Sequence, residues 1–265
     1  MTTSPKRIAL IIASTRTPRL GPAIATIAAE IIIPRLPPHW TLDLVDLMQH
    51  PLPLFTADPI IPAGLRQPVA ADAYADPATN AWSALVRAHD AFVFLTPQYN
   101  WGYPAPLKLA LDALYHEWAA KPALVLSYGA RGGNKAAAQL RQVLEGLHMR
   151  VCARGVQLPF GKGHDLGGGV ISKETDARWR AEDKKEEVIA AWEELVGLVN
   201  AVAPVADAPS HAHAPSAPAP AAATPAPPAA DESSDPSKTG DRKAKPLDKL
   251  AAVFQRSTHR PPRDH

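Results

Sequence analysis

Near the middle of the chain the sequence reads Ala91-Phe-Val-Phe-Leu-Thr-Pro-Gln-Tyr-Asn-Trp-Gly-Tyr-Pro104. Its first five residues are an apolar run of strand length without alternation, which is typical of a strand buried on both faces of a parallel sheet. A loop rich in amides and aromatic rings follows, and Leu107, Ala110, Leu111 and Leu114 then recur with a helical period. This stretch therefore predicts a buried strand, a loop and an amphipathic helix in succession.

The same alternation of strand and helix recurs over the first two hundred residues. Further apolar runs cover Ile8 to Ala13 and Ala123 to Leu126, and a fifth strand is expected near Arg150 to Ala153. Thr41 to Asp46 alternates between apolar and polar residues, as an edge strand would. The other helical stripes are Ile24, Ile27 and Ile31; Leu140, Val143, Leu144 and Leu147; and Trp192, Leu195, Val196 and Val199. Together they predict a doubly wound α/β sandwich with a five-stranded parallel sheet.

Two segments lack such periodicity. Leu47 to Pro77 is rich in proline and long for a loop in a compact domain, which favours a functional or interface role. Gly155 to Thr175 contains three consecutive glycines and is expected to be mobile rather than to contact a ligand.

The last part of the chain has a different composition. From Pro204 onward it holds 12 Pro and 15 Ala in 62 residues, with Phe254 as the only aromatic residue. Such a segment cannot bury enough apolar surface to offset its chain entropy. We therefore expect a folded domain over residues 1–203 and a disordered Pro/Ala-rich tail over 204–265, with a possible short helix near 246–255.

Charge and cysteine content narrow the function classes. The net charge of +2 gives no basic footprint of a nucleic-acid binder. The single Cys152 excludes an intrachain disulfide and fits a reducing compartment. The run from Ile8 to Ala13 is too short to span a membrane. His116 has no second ligand at helical spacing, so no metal site is predicted. These features predict a soluble, cytoplasmic protein without nucleic-acid or membrane partners.

Three loops are expected at one edge of the sheet, where the carboxyl ends of parallel strands meet and ligands bind. The first, Ser14 to Gly21, combines hydroxyls, two arginines and a helix N-terminus, which suit a terminal phosphate. It is neither a P-loop nor a dinucleotide fingerprint. A helix cap with solvated charges is the ordinary alternative for this loop.

The other two loops suit a flat ring. In Thr96 to Pro104, the aromatic rings of Tyr99 and Trp101 and two amides favour contact with a heteroaromatic ligand. Packing of Tyr99 and Trp101 on a neighbouring subunit is an alternative, and both can hold together. In Ser127 to Gly133, glycines let backbone N–H groups approach a ligand closely.

On these residues the chain resembles the NAD(P)H-dependent FMN reductase family of flavodoxin-like proteins, over roughly residues 6–200. The resemblance implies a flavodoxin-like three-layer sandwich, bound FMN, NAD(P)H as co-substrate, and assembly as a homodimer or homotetramer. It also implies that the flavin carries the chemistry, so no catalytic side chain is named. The family's usual acidic residue before the Tyr-Asn pair is Gln98 here. The resemblance implies these FMN-binding residues: Ser14, Arg16, Leu20 and Gly21 for the phosphate; Pro97, Gln98, Tyr99, Asn100, Trp101 and Gly102 for the ribityl chain and ring; and Ser127, Tyr128, Gly129, Gly132 and Gly133 for the pyrimidine end.

The expected function is hydride transfer from nicotinamide to flavin and onward reduction of a flavin, quinone or similar small acceptor. A flavodoxin-type electron carrier is one alternative, although such carriers are usually strongly acidic. A non-catalytic binding protein with a vestigial flavin pocket is another. The resemblance does not distinguish NADH from NADPH.

Overall fold

A computed structural model of the chain describes residues 4–161 and 169–201. The predicted tail lies outside the described residues. The six strands are β1 (Lys6–Ile12), β2 (Trp40–Asp46), β3 (Ala91–Pro97), β4 (Pro122–Gly129), β5 (Arg150–Val151) and β6 (Val156–Pro159). The six helices are α1 (Gly21–Ile32), α2 (Pro77–Arg87), α3 (Ala105–Asp112), α4 (Asn134–Gly146), α5 (Lys173–Ala181) and α6 (Lys184–Asn200).

All strands pair in parallel, in the order β2-β1-β3-β4-β5. The order reverses between β1 and β3, the switch point at which flavodoxin-like folds bind ligands. The predicted parallel sheet is thus confirmed, with β2 at one edge. Two short strands, β5 and β6, both lie beside β4 at the other edge of the sheet. β6 pairs with β4 from Leu126↔Val156 to Gly129↔Pro159. Within the segment 155–175, which was expected to be irregular, Val156–Pro159 forms β6 and α5 begins at Lys173, and residues 162–168 lie outside the described ranges.

Helices cover both faces of the sheet, which explains the unbroken apolar strands. Ile8 and Leu10 of β1 face α1 and α6, whereas Ala9 and Ile11 face α2, α3 and α4. All four residues are fully buried. A strand with two covered faces has no solvent-facing positions, so apolar residues fill most of it.

The long segment between β2 and α2 is anchored to the residues after α3. The Glu117 carboxylate, 4% exposed, accepts hydrogen bonds from the Tyr74 hydroxyl at 2.9 Å and the Ser83 hydroxyl at 2.6 Å. Burial and this carboxylate raise the pKa of Tyr74 well above its usual value. The Gln67 amide donates to His116 Nδ1 at 2.8 Å. These contacts fix the base of the segment, while Leu54, Phe55, Ile60 and Ile61 are exposed on it.

Candidate flavin site

The loops that follow β1, β3 and β4 meet at the carboxyl edge of the sheet because these strands are adjacent. They enclose a cavity of about 360 Å³. Predicted residues from all three loops line it: Arg16, Leu20, Pro97, Gln98, Tyr99, Tyr128 and Gly129. Five further lining residues were not predicted: Pro18, Arg19, Ala130, Phe160 and Gly169.

Ser14 and Gly21 form the closely packed base of the first loop. Ser14 is fully buried, and a Cβ atom on Gly21 would lie 2.0 Å from its Oγ and 2.8 Å from Ile12 Cγ2. Only glycine therefore lets helix α1 begin this close to the end of β1. The helix has no side-chain cap at Leu20 and no acidic residue in its first turn. Its N-terminal N–H groups and positive dipole end remain available to an anion.

The two arginines of this loop have different environments. Arg19 donates to both carboxylate oxygens of Asp46, to Oδ1 at 2.8 Å, and to the Ser14 carbonyl at 2.9 Å. The hydrogen bond to Asp46 raises the pKa of Arg19. Burial opposes ionisation of Asp46, but the bond from Arg19 and the Met48 N–H outweigh it and lower the pKa of that carboxyl. Arg19 is thus committed to holding the end of β2 against the loop.

Arg16 is exposed, and it forms no ion pair with the residues that the structure describes. Its guanidinium carbon lies 3.7 Å from the centroid of the Tyr99 ring, which joins the first loop to the second. Burial raises the pKa of Tyr99, and the Arg16 cation opposes that rise. Of the two arginines, Arg16 is the one free to bind an added anion.

The second loop turns back sharply between Tyr99 and Gly102. The Tyr99 N–H donates to the Gly102 carbonyl at 2.8 Å, and the Gly102 N–H donates to the Tyr99 carbonyl at 3.0 Å. Asn100 and Trp101 between them have φ values of 46° and 71°. This left-handed conformation is common for asparagine but strained for tryptophan. The turn holds the Trp101 side chain outward, 63% exposed.

Gln98 links the second loop to the third. Its side-chain oxygen accepts hydrogen bonds from the backbone N–H groups of Lys135 at 3.0 Å and Ala136 at 3.3 Å. Helix α4 has Gly133 at its N-cap, with no side chain to do this. The amide of Gln98 therefore caps α4 from a neighbouring strand end. Its backbone N–H also donates to the Tyr128 carbonyl at 3.1 Å.

The third loop is shaped by its own hydrogen bond and glycines. The Ser127 hydroxyl donates to the Gly132 carbonyl at 2.8 Å, and Gly132 and Gly133 have φ values of 80° and 81°. A Cβ atom on Gly133 would lie 2.9 Å from the Tyr128 carbonyl oxygen. The left-handed backbone and this close contact both require glycine.

Two hydroxyls in the site are buried without a regular hydrogen bond to any residue of the described ranges, those of Ser14 and Tyr128. Burial raises the pKa of the Tyr128 phenol well above its usual value, and the nearby Ser14 hydroxyl lowers it by less. A buried polar group without a partner costs roughly 1–3 kcal/mol. Because Tyr128 lines the cavity, a polar ligand there can supply the missing partner.

A second recess of about 480 Å³ opens beside the first. Gln98, Gly129 and Ala130 line both. Of the predicted residues, Trp101 and Gly133 also line this recess, together with Arg131, Asn134 and Lys135, which were not predicted. The remaining predicted residues line neither space and shape the loops instead: Ser14, Gly21, Asn100, Gly102, Ser127 and Gly132.

Some of the missed lining residues had a signal in the sequence. Phe160 follows β6, whose buried Val156 and Leu158 flank an exposed Gln157, an alternation too short to stand out. Gly169 belongs to the glycine run that was interpreted as mobile. Arg19 is one of the two arginines of the first loop, but its ion pair with Asp46 depends on the sheet order.

Helices in the described ranges are all too short or too polar to cross a membrane. Within those ranges no three His, Cys, Asp or Glu residues are grouped as a metal site would need.

Comparison with known proteins gives consistent results. The family described as "NADPH-dependent FMN reductase" matches residues 6–165. The chain is 45% identical over 164 residues to the NAD(P)H-dependent FMN reductase LOT6 of Saccharomyces cerevisiae, covering 58% of this chain and 82% of that protein. It is 32% identical over 198 residues to the NAD(P)H-dependent FMN reductase ntnL of Nectria sp, covering 73% and 96%.

A solved structure supports the fold. The flavoenzyme FerB, an NAD(P)H:(acceptor) oxidoreductase from Paracoccus denitrificans, superposes with a TM-score of 0.54 at 21% identity, over 72% of this chain and 98% of that one. The sheet order, the site at its switch point and the match over most of the described residues lead to one assignment: the chain belongs to the NADPH-dependent FMN reductase family.

Proposed function

We propose that this protein is an FMN-containing oxidoreductase that oxidises NAD(P)H and reduces a flavin, quinone or similar small acceptor. The observation that carries the proposal is the closure of three loops on one cavity at the switch point of the sheet. The names of the relatives, which are NAD(P)H-dependent reductases, favour this function over an electron carrier.

The residues present fit FMN on two observations. Gly21 lets the N-terminus of α1 pack against Ser14 at the end of β1, and no side chain caps that helix end. Tyr128 lines the cavity, and its buried hydroxyl has no regular hydrogen bond to a residue of the described ranges. Without a ligand, the uncapped helix end and the buried hydroxyl each lack a hydrogen-bond partner, which costs free energy. A polar molecule that carries a phosphate can supply partners for both.

In this proposal each loop has a separate task. Arg16 and the first turn of α1 bind the phosphate, with Ser14, Leu20 and Gly21 shaping that pocket. The segments 97–102 and 127–133 hold the rest of the molecule and exclude water. When bound, FMN supplies two-electron chemistry, taking a hydride from a reduced nicotinamide and giving electrons to an acceptor. The chain itself contributes binding, orientation and a positive local field.

Assembly as a homodimer or homotetramer is also part of the proposal. Leu54, Phe55, Ile60 and Ile61 are between 51% and 87% exposed on the segment between β2 and α2. Exposed apolar clusters of this kind favour a protein contact, and a second copy of the chain is the partner that the family resemblance implies. The division into a flavin-binding domain over 1–203 and a separate tail over 204–265 stays a prediction, as does the cytoplasmic location.

The test is the cofactor content and activity of the purified full-length chain. We expect a yellow protein, or one that takes up added FMN stoichiometrically, and oxidation of NAD(P)H when a quinone or free flavin is present. A protein that never binds FMN would refute the proposal. FMN binding without NAD(P)H oxidation would leave the electron carrier as the function.

A further inference from the structure

The second recess has a wall of its own beyond the residues it shares with the flavin cavity. Trp101, Arg131, Gly133, Asn134 and Lys135 line it without lining the flavin cavity. None of its lining residues is acidic. The recess therefore combines two cations and one large aromatic ring next to the cavity proposed for the flavin.

The two cations are not neutralised by the protein. Arg131 and Lys135 are both exposed, and neither pairs with a carboxylate within residues 4–161 and 169–201. Elsewhere on the surface, cations of helices do pair with acidic residues nearby in sequence: Lys108 with Asp112, Arg178 with Glu182, Arg180 with Asp176, and Lys184 with Glu187. Arg131 and Lys135 thus bring two unpaired positive charges to the recess.

The N-terminus of helix α4 is not itself the site. The Gln98 side chain already accepts the N–H groups of Lys135 and Ala136. However, Gln98 is neutral, and the first turn of α4 carries no acidic residue. The positive end of the helix dipole therefore adds to the charges of Arg131 and Lys135 instead of being cancelled.

Trp101 is placed where a planar ligand could stack. The Lys135 ammonium lies 5.4 Å from the centroid of its ring, so a cation lies next to the aromatic surface. The strained φ of 71° is maintained by the two hydrogen bonds between Tyr99 and Gly102. A strained, largely exposed tryptophan gains little from packing in the protein itself, which points to a role in contact with a ligand.

We propose that Arg131 and Lys135, with Trp101, bind a phosphate group and the adenine end of the reduced nicotinamide dinucleotide. This inference rests on the proposed function, because it places the co-substrate beside the flavin cavity. The shared chemistry is an anionic phosphate next to a flat base. It can come from the pyrophosphate, which NADH and NADPH have in common, or from the 2′-phosphate, which only NADPH carries.

The test uses the full-length FMN-loaded protein and the double variant Arg131→Gln/Lys135→Gln, which removes charge and keeps bulk. Arg154→Gln is the matched control, because Arg154 is exposed, has no ion pair within the described ranges and lies outside both cavities. Isothermal titration calorimetry measures the binding of ADP and of adenosine 2′,5′-bisphosphate to each protein. Steady-state KM values for NADH and NADPH give a second readout.

We expect each removed cation to weaken binding on the order of tenfold, and the loss to shrink as salt is added. A loss for both nucleotides, with KM raised for NADH and NADPH alike, assigns the pyrophosphate. A loss confined to the 2′,5′-bisphosphate and to NADPH assigns the 2′-phosphate. Unchanged affinity for both nucleotides in the double variant would overturn the inference.

The failure of this inference is separable from that of the proposed function. Flavin absorbance of the same samples measures FMN content independently of nucleotide binding. A double variant that keeps its FMN and its affinity for both nucleotides refutes only the phosphate site. A wild-type protein that binds no FMN refutes the proposed function.

Discussion

The cap that Gln98 provides for helix α4 leads to a quantitative prediction. Replacing Gln98 by alanine removes the acceptor for two backbone N–H groups, of which that of Ala136 is buried and cannot be fully hydrated. Loss of an N-cap costs about 1–2 kcal/mol. For a domain of this size that corresponds to a decrease in Tm of roughly 2–8 °C.

Gln98→Glu should have the opposite effect. A carboxylate in the same place would accept the same bonds and interact favourably with the helix dipole, adding about 0.3–1 kcal/mol. The new carboxyl should have a lower pKa in the folded state, so this gain should be present at pH 7. It should disappear as the pH falls below the usual glutamate value of ~4.3.

Thermal unfolding followed by circular dichroism measures both changes, with Gln142→Ala as the control. Gln142 is exposed on the same helix and makes no hydrogen bond through its side chain within the described ranges, so its replacement should alter stability by less than about 0.5 kcal/mol. If Gln98→Ala melted at the same temperature as the Gln142→Ala control, the capping role of Gln98 would be refuted.

Four further changes test other parts of the molecule. Gly21→Ala would place a methyl carbon 2.0 Å from Ser14 Oγ; we expect a loss of about 1–3 kcal/mol in unfolding free energy and reduced FMN content. An unchanged FMN content and an unchanged unfolding free energy in this variant would contradict the close packing of the first loop. Arg16→Ala should weaken FMN affinity by about 1.5–3 kcal/mol in a fluorescence titration, and unchanged affinity would exclude a phosphate contact. The Asp46 carboxyl has a lower pKa in the folded protein than its usual value. Its ionised form therefore stabilises the fold at pH values above the unfolded pKa, and this contribution is lost as the pH falls toward the folded pKa. Asp46→Asn should therefore cost about 1–3 kcal/mol at pH 7 in urea unfolding, and a deficit that did not shrink as the pH was lowered from the unfolded aspartate value of ~3.9 toward the lower folded pKa would refute the ion pair as its cause. Phe55→Ser should lower the molar mass measured by light scattering toward that of the monomer, and an unchanged mass would place the subunit contact elsewhere.

The buried strands could be predicted because burial leaves a strong pattern. The runs from Ile8 to Ala13 and from Ala91 to Leu95 are apolar at every position, since both faces of their strands are covered. β5 and β6 left weaker patterns, with two and four residues respectively. Their pairing with β4 depends on tertiary contacts that no local window of sequence contains.

The candidate site was predictable at the level of loops but not of side-chain partners. The three loops follow from the rule that parallel strands bring their carboxyl ends to one edge. The different environments of Arg16 and Arg19 do not follow from it, because Asp46 lies at the end of another strand. The second recess was missed for a similar reason: Arg131 and Lys135 belong to the third loop and its helix, whereas Trp101 belongs to the second.

Gln98 connects the stability of the site to its charge. An acidic residue, which is usual in the family at this position, would cap α4 more strongly but would also place a negative charge on the wall that both cavities share. A neutral amide keeps the two hydrogen bonds and leaves the positive charges of Arg131 and Lys135 unopposed. If these cations bind a nucleotide phosphate, Gln98→Glu should raise the Tm and weaken nucleotide binding in the same protein. A stabilised variant with unchanged nucleotide affinity would separate the two roles and count against the phosphate site.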